Sequence, residues 1–184
     1  PYQKAVQDIA ARAAVIISVG TCASFGGIPA AGANPTGVVS IGELTGRSTI
    51  NISGCPANPD WVVWAVVQLL LGRSVELDGN NRPVDLYRKT IAGGAAPDLI
   101  HDKCPRNIFV NPGAPAEATS FADCNGRCLI QLGCRGPNTK ARCEACWNGI
   151  AGQGHWCIGV NSPCQGCVEP TFPGPHSFFE PYNP

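Results

Sequence analysis

Cysteines are the residues of this chain best suited to chemistry, and they are concentrated in its second half. The sequence of 184 residues contains 11 cysteines, and nine of them lie between Cys104 and Cys167. A segment so rich in cysteine holds either disulfide bonds or metal ligands. The odd number of cysteines disfavours complete disulfide pairing, and the spacings favour metal ligands.

The most compact motif is Cys164-Gln165-Gly166-Cys167. Two thiolates separated by two residues can share a tight turn, and the glycine lets backbone amides face the sulfurs. Alone, such a pair fits a zinc ion, an iron–sulfur cluster or a redox-active dithiol. Cys157 lies seven residues upstream of the pair and Cys143 fourteen further, so four thiolates are available to one four-iron cluster.

A second set combines a histidine with cysteines. His101 and Cys104 are three residues apart, and Cys128 and Cys134 follow six residues apart after a gap. The pattern fits zinc or an iron–sulfur cluster. His101 alone would more simply be a surface residue that caps a helix, but its spacing to Cys104 favours a ligand. Histidine is an unusual ligand of a four-iron cluster and indicates a cluster near the protein surface.

The first half of the chain contains the elements that must position a third, incomplete set. We predict helix 4–13, strand 14–19, a glycine-rich loop, helix 38–46, strand 48–53 and a helix from about 58 to 71. This alternation predicts an α/β fold with a parallel sheet, in which sites form at the carboxyl ends of strands. Cys22 and Cys55 each follow a predicted strand, next to Gly20 and Gly54. They are either buried structural cysteines or half of a site with partners outside this chain.

Two domains are predicted, 1–92 and 93–184, with the boundary in the Ala92-Gly93-Gly94-Ala95 stretch. The second has few apolar runs and many prolines and glycines, so it needs disulfides or metal to hold its shape.

Composition excludes several other functions. The formal net charge is zero, so a nucleic-acid partner is not expected. Only 14% of the residues are charged, which suggests that another protein chain covers part of the surface. The longest apolar run, 61–71, is too short to span a membrane and contains Gln68, so we expect a soluble chain. It begins without Met or a signal peptide, which indicates a fragment or a processed product.

Several strings together resemble the small subunit of nickel–iron hydrogenases, in family order and over nearly the whole chain. They are GTCASFGGIPAAGANPTG, INISGCPANPDWVVWAVVQLLLG, HDKCPR, CLIQLGCRGPNTKARC, WNG and PCQGCVEP. The resemblance implies part of a flavodoxin-like parallel-sheet domain followed by a mostly irregular and helical iron–sulfur domain. It also implies an oxidoreductase subunit with three iron–sulfur clusters. These relay electrons between a nickel–iron site in a large subunit and an external carrier such as a cytochrome or ferredoxin, during hydrogen oxidation or proton reduction.

The resemblance assigns each predicted ligand to a cluster, and none of the residues to a catalytic role. Cys22 and Cys55 correspond to the last two ligands of the proximal four-iron cluster. The first two belong to an N-terminal segment absent here, so the chain corresponds to the C-terminal two-thirds of a small subunit. The distal four-iron cluster takes His101, Cys104, Cys128 and Cys134. The medial cluster takes Cys143, Cys164 and Cys167.

One departure from the family pattern concerns the medial cluster. Many members have Pro where this chain has Cys157, and their medial cluster has three irons. A fourth thiolate predicts a four-iron medial cluster, as in the selenium-containing branch and several other subgroups. Cys124 and Cys146 match no family ligand and are expected to be ordinary thiols.

Two other protein classes compete with this interpretation. Relatives from the respiratory-complex family share the flavodoxin-like domain and proximal cluster but lack the cysteine-rich second half. A zinc or disulfide structural protein would explain the cysteines without electron transfer. The family also implies a periplasmic location, with the cytoplasm as the alternative.

Overall fold

A computed structural model describes residues 2–87, 99–143 and 155–174. These residues form two compact units, one of residues 2–85 and 168–174 and the other of residues 86–87, 99–143 and 155–167. The predicted domain boundary lies outside the described residues and stays a prediction. Residues 168–174 belong to the first unit, which the sequence does not predict.

Helices and strands alternate in the first unit as the sequence predicts. The elements are α1 Tyr2–Ala10, β1 Ile17–Val19, α2 Thr21–Phe25, α3 Ile41–Thr45, β2 Ile50–Ile52 and α4 Pro59–Leu70, followed by α5 Val84–Tyr87 where the second unit begins. β1 and β2 pair in parallel, with Ile17 opposite Ile50 and Val19 opposite Ile52. The pairing confirms the predicted parallel sheet, and α2 is a short helix inside the predicted glycine-rich loop.

The prediction that residues 14–19 form a buried strand is wrong in both extent and burial. β1 covers only the last three of these residues, and its Val19 is 49% exposed, whereas β2 is buried along its whole length. Within the described residues the sheet has two strands. Among those residues, β1 is therefore paired on one side only.

Helix α4 combines a well-formed start with an apolar exposed face. Asn58 accepts a hydrogen bond from the backbone N–H of Asp60 at 2.9 Å, which caps the helix. Trp61 faces the core and is buried, whereas Val63 and Leu70 are 60% and 81% exposed. Several exposed apolar side chains on one helix are typical of a surface that another chain covers. In the part of the chain that the structure describes, no helix is long and apolar enough to cross a membrane.

A capping box starts helix α3. The Ser40 hydroxyl accepts the backbone N–H of Glu43 at 3.1 Å, and the Glu43 carboxylate accepts the Ser40 backbone N–H at 2.8 Å. The hydrogen bonds from the Ser40 backbone and side chain lower the pKa of Glu43. The ionised form of Glu43 is therefore favoured in the folded state.

Replacing Ser40 by Ala is expected to lower the free energy of unfolding by about 1 kcal/mol at neutral pH. Because folding lowers the pKa of Glu43, its contribution is present above the unfolded pKa of about 4.3 and is lost as the pH falls through the folded pKa. The difference between the two proteins should thus shrink below about pH 4. Thermal unfolding of the assembled protein at several pH values measures it. Ser48→Ala, at an exposed position, is the control, and a pH-independent difference would contradict the prediction.

A buried arginine holds residues 168–169 against the rest of the first unit. Arg82 is 1% exposed and forms ion pairs with Asp78 at 2.9 Å and Glu169 at 3.2 Å. Its Nη1 also donates to the Val168 carbonyl at 3.1 Å, and the Ser53 hydroxyl donates to the same carbonyl at 2.7 Å. A buried guanidinium is stable only with such partners.

The second unit is mostly irregular, as predicted. Its described residues contain no β-strand, one short helix of their own, α6 Ile100–Lys103, and 3₁₀ turns at Phe121–Asp123, Ile130–Leu132, Gly136–Asn138 and Ile158–Val160. Ile100, Leu129 and Ile158 are among its buried apolar side chains. Buried cysteines contribute much of the remaining interior.

Candidate iron–sulfur sites

Three of the four predicted distal ligands lie together in the interior of the second unit. Cys104 caps the end of α6, and Cys128 and Cys134 stand on either side of the 3₁₀ turn Ile130–Leu132. All three side chains are buried. Burial raises the pKa of Cys134 to about 11, and the neighbouring Cys104 and Cys128 contribute to the rise. The three thiols are therefore close enough to interact electrostatically.

The fourth predicted distal ligand lies beside the same group. A Cβ added to Gly136 would be 3.4 Å from the Cys134 sulfur and 3.6 Å from the His101 backbone nitrogen. The Asn107 side chain donates to the His101 carbonyl at 2.9 Å. The backbone of His101 and the sulfur of Cys134 thus both border the space that Gly136 leaves open.

Backbone amides face the sulfurs in a repeated pattern. In four cysteines, the backbone N–H two residues later donates to the sulfur, and the pairs are Cys104 with Arg106, Cys128 with Ile130, Cys134 with Gly136 and Cys164 with Gly166. The last has a nitrogen–sulfur distance of 3.5 Å. Such hydrogen bonds favour the charged thiolate and tune iron–sulfur clusters. Buried sulfurs that receive amide hydrogen bonds are a donor set that fits iron–sulfur clusters.

The predicted medial ligands are only partly brought together. Cys164 is buried and interacts electrostatically with the half-buried Cys167. Its sulfur is 3.5 Å from the Thr139 hydroxyl, and its carbonyl accepts the Arg135 N–H at 2.6 Å. Since Arg135 follows Cys134, a backbone hydrogen bond links the predicted distal and medial sets.

Cys143 and Cys157 remain predicted ligands of the medial cluster. Cys143 is half-buried, and Cys157 is exposed at the start of the 3₁₀ turn Ile158–Val160. Cys143 immediately precedes residues 144–154, which lie outside the described part of the chain.

Cys22, in the first turn of α2, and Cys55 lie at the carboxyl ends of β1 and β2, where hydrogen bonds join the two segments. The Thr21 N–H donates to the Gly54 carbonyl at 3.0 Å, and the Gly54 N–H donates to the Thr21 hydroxyl at 2.8 Å. Both cysteines are exposed. The alternative that they are buried structural cysteines is therefore wrong, because neither side chain is placed in a core.

Two negative findings apply to the described residues. None of the ten described cysteines forms a disulfide bond. Within 2–87, 99–143 and 155–174, no group of three or more His, Cys, Asp or Glu side chains is placed to hold a metal ion. In a four-iron cluster each protein ligand binds its own iron, so the ligand atoms stand apart around the cluster.

Sequence reasoning missed two residues beside the cysteines. Thr139 contacts Cys164, and Arg106 acts on Cys104 and Cys128 through its charge. The position of Arg106, two residues after the predicted ligand Cys104 in HDKCPR, is a signal that could have identified it. Cys124 is buried and donates its S–H to the Phe121 carbonyl at 3.2 Å, as an ordinary thiol does. Cys146 lies outside the described residues.

Two family models match different parts of the chain. Residues 97–180 match the C-terminal model of the "NiFe/NiFeSe hydrogenase small subunit", and residues 1–69 match "NADH ubiquinone oxidoreductase, 20 Kd subunit". The second match agrees with a sheet domain shared with respiratory complexes. The first covers the cysteine-rich half of this chain.

Curated relatives align along most of the chain. The periplasmic [NiFe] hydrogenase small subunit of Solidesulfovibrio fructosivorans is 37% identical over 94% of this chain and 51% of its own length. The periplasmic [NiFeSe] hydrogenase small subunit of Desulfomicrobium baculatum is 35% identical over 95% of this chain and 54% of its own length. The chain therefore spans about half the length of these relatives.

Solved structures show the same similarity. A recombinant [NiFeSe] hydrogenase from Desulfovibrio vulgaris Hildenborough matches with a TM-score of 0.78 and 35% identity, over 98% of this chain and 64% of that one. An actinobacterial-type NiFe-hydrogenase from Ralstonia eutropha H16 matches with a TM-score of 0.79 and 26% identity, over 98% of this chain and 52% of that one. This chain belongs to the family of NiFe and NiFeSe hydrogenase small subunits.

Proposed function

We propose that this chain is part of the electron-transfer subunit of a hydrogenase, an oxidoreductase that oxidises hydrogen or reduces protons. The observation that carries the proposal is the buried group of Cys104, Cys128 and Cys134, each sulfur receiving a hydrogen bond from a backbone amide. His101 completes this set as the fourth ligand of a distal four-iron cluster. The family membership supports the same assignment.

The other ligands follow from the same proposal. Cys143, Cys157, Cys164 and Cys167 would hold a four-iron medial cluster, and Cys22 and Cys55 would supply half of the ligands of a proximal one. A bound iron–sulfur cluster supplies a centre that accepts and releases one electron at a time. Relaying electrons requires no acid–base group from this chain.

The residues around the sulfurs prepare the sites for that role. Coordination requires thiolates, and burial alone keeps the thiols of Cys104, Cys128 and Cys134 protonated by raising each pKa. The hydrogen bond from the backbone amide two residues after each cysteine offsets part of this rise in pKa. Buried side chains such as Leu129 also exclude water from the group, which is one of the ways a protein sets a cluster potential.

The backbone hydrogen bond between Arg135 and Cys164 supports direct electron transfer between the medial and distal clusters. It joins the residue after one distal ligand to a medial ligand at 2.6 Å. The two ligand segments are thus connected by protein atoms, without a bridging water between these two groups.

The partners follow from the exposed surfaces of the first unit. Cys22 and Cys55 are exposed at one end of the sheet, and α4 exposes Val63 and Leu70. We infer that these surfaces are covered by the N-terminal part of a small subunit, which supplies the other proximal ligands, and by the nickel–iron large subunit. An external carrier such as a cytochrome or ferredoxin would take electrons from the distal cluster. A periplasmic location is proposed because two of the relatives are named periplasmic.

Metal and sulfide analysis of the purified complex tests the proposal. We expect a brown protein with about four irons and four sulfides for each four-iron site. Cys128→Ala should lose about four of these irons, whereas Cys124→Ala, at a buried cysteine with no predicted ligand role, should lose none. Zinc without sulfide would overturn the proposal in favour of a structural zinc protein.

A further inference from the structure

A buried arginine lies beside the predicted distal ligands and has no part in the proposed function so far. Arg106 is 8% exposed. Its Nη1 donates to the carbonyls of Cys124 and Arg127 at 3.2 and 3.3 Å, and its Nη2 donates to Asn161 Oδ1 at 2.7 Å. No carboxylate pairs with it among the described residues. The acceptors of these three hydrogen bonds are all neutral.

A buried cation with neutral partners is costly unless a negative charge lies nearby. Arg106 is two residues from Cys104 and donates its backbone N–H to that sulfur. The Arg127 carbonyl that it binds immediately precedes Cys128. Burial raises the pKa of both cysteines, and the charge of Arg106 opposes the rise in each case. The charge of this guanidinium therefore acts on two of the predicted distal ligands, Cys104 and Cys128.

One acidic side chain acts in the opposite direction. Glu117 also influences Cys128, but it is exposed and accepts a hydrogen bond from Gln131 at 3.0 Å. Water and salt screen an exposed charge far more than a buried one. Glu117 is nevertheless the larger of the two side-chain charges that act on Cys128, whereas of the two only Arg106 also acts on Cys104.

We propose that Arg106 is a positioning and charge-compensating residue that raises the reduction potential of the distal cluster, an inference that rests on the proposed function. Reduction adds one negative charge to the cluster, and a nearby buried cation stabilises the reduced form more than the oxidised form. The same side chain ties the segment before Cys128 to Asn161, which follows the turn that begins at Cys157. It therefore acts on the distal set by both charge and hydrogen bonding.

Asn161 allows the charge to be tested without deleting the arginine. Asn161→Asp keeps the shape and the acceptor oxygen but places a carboxylate on Arg106. The Asn161 backbone is left-handed, with φ at 64°, and Asp tolerates that conformation. The hydrogen bonds of Arg106 stay in place while its charge is neutralised.

The experiment is a redox titration of the complex followed by electron paramagnetic resonance, with His101→Cys used to identify the distal signal. Asn161→Asp and Arg106→Gln should each lower the ratio of reduced to oxidised distal cluster about tenfold at fixed potential, or about 59 mV for a one-electron couple. Arg106→Lys keeps the positive charge and should shift the reduction potential of the distal cluster far less. Glu117→Gln removes a charge that opposes Arg106 and should shift the distal potential in the other direction, and Asn80→Asp, which adds a charge at an exposed site, is the matched control.

The outcomes separate charge from structure. An unchanged distal potential in Asn161→Asp overturns the proposal, even if Arg106→Gln fails to assemble its cluster. Equal shifts in Arg106→Lys and Arg106→Gln also overturn it, because they would assign the effect to lost hydrogen bonds. If the unmodified complex gives no iron–sulfur signal, the proposed function itself is overturned. If the signal is present but the distal potential does not move in the variants, only the role of Arg106 is overturned.

Discussion

Replacing Cys157 by Pro in the assembled protein is expected to remove one iron from the medial cluster and leave a three-iron centre. Proline has no ligand atom, and the fourth iron of a cubane becomes labile when it loses its protein ligand. The backbone accepts the change, because φ at Cys157 is −49° and proline requires a similar value. The exposed side chain also contributes little packing that could be lost.

Iron analysis and electron paramagnetic resonance measure the effect. Three ferric ions contain an odd number of electrons, so the oxidised variant should gain a paramagnetic signal that the four-iron cluster lacks. Cys124→Ala is the matched control, since it removes a buried thiol with no predicted ligand role. An unchanged medial spectrum in Cys157→Pro would show that the four-iron assignment is wrong.

Replacing Gly54 by Ala is expected to have the largest effect on the first unit. A Cβ at this position would be 2.6 Å from the Pro56 carbonyl oxygen and 2.9 Å from the Ala57 Cα, and both are backbone atoms that cannot move aside alone. The φ of 151° adds strain for any residue with a side chain. We expect a loss of at least about 3 kcal/mol of unfolding free energy.

The same substitution should impair the proximal site, because Cys55 is the next residue. The expected result is a lower melting temperature of the complex together with a loss of iron. Gly72→Ala is the matched control. Gly72 also has a positive φ, of 66°, but a Cβ there would meet no atom within 4 Å, so only the backbone strain of about 1 kcal/mol applies. If the two variants are equally stable, the close contact at Gly54 is not the cause.

Local spacing is sufficient to predict much of the site. Cys104, Cys128 and Cys134 can be selected from the sequence because a cluster needs several thiolates, and two of them flank one short turn. The parallel sheet is also predictable, because strands that alternate with helices must pair in parallel when each connection crosses the sheet.

Long-range features are not predictable from the sequence. Arg82 and Glu169 are separated by 87 residues, and no local pattern indicates that they pair. The exposure of β1 depends on which strands lie beside it, which a continuous apolar run does not reveal. The hydrogen bonds of Arg106 to Cys124, Arg127 and Asn161 are likewise not predictable, because they join separate segments of the chain.

The ion pairs of Arg82 bear on the order in which the chain can mature during synthesis. The first unit obtains two of the partners of its buried guanidinium only from Val168 and Glu169. Every cysteine of the chain precedes these residues. A ribosome therefore delivers every predicted sulfur ligand of this chain before the first unit can close around Arg82.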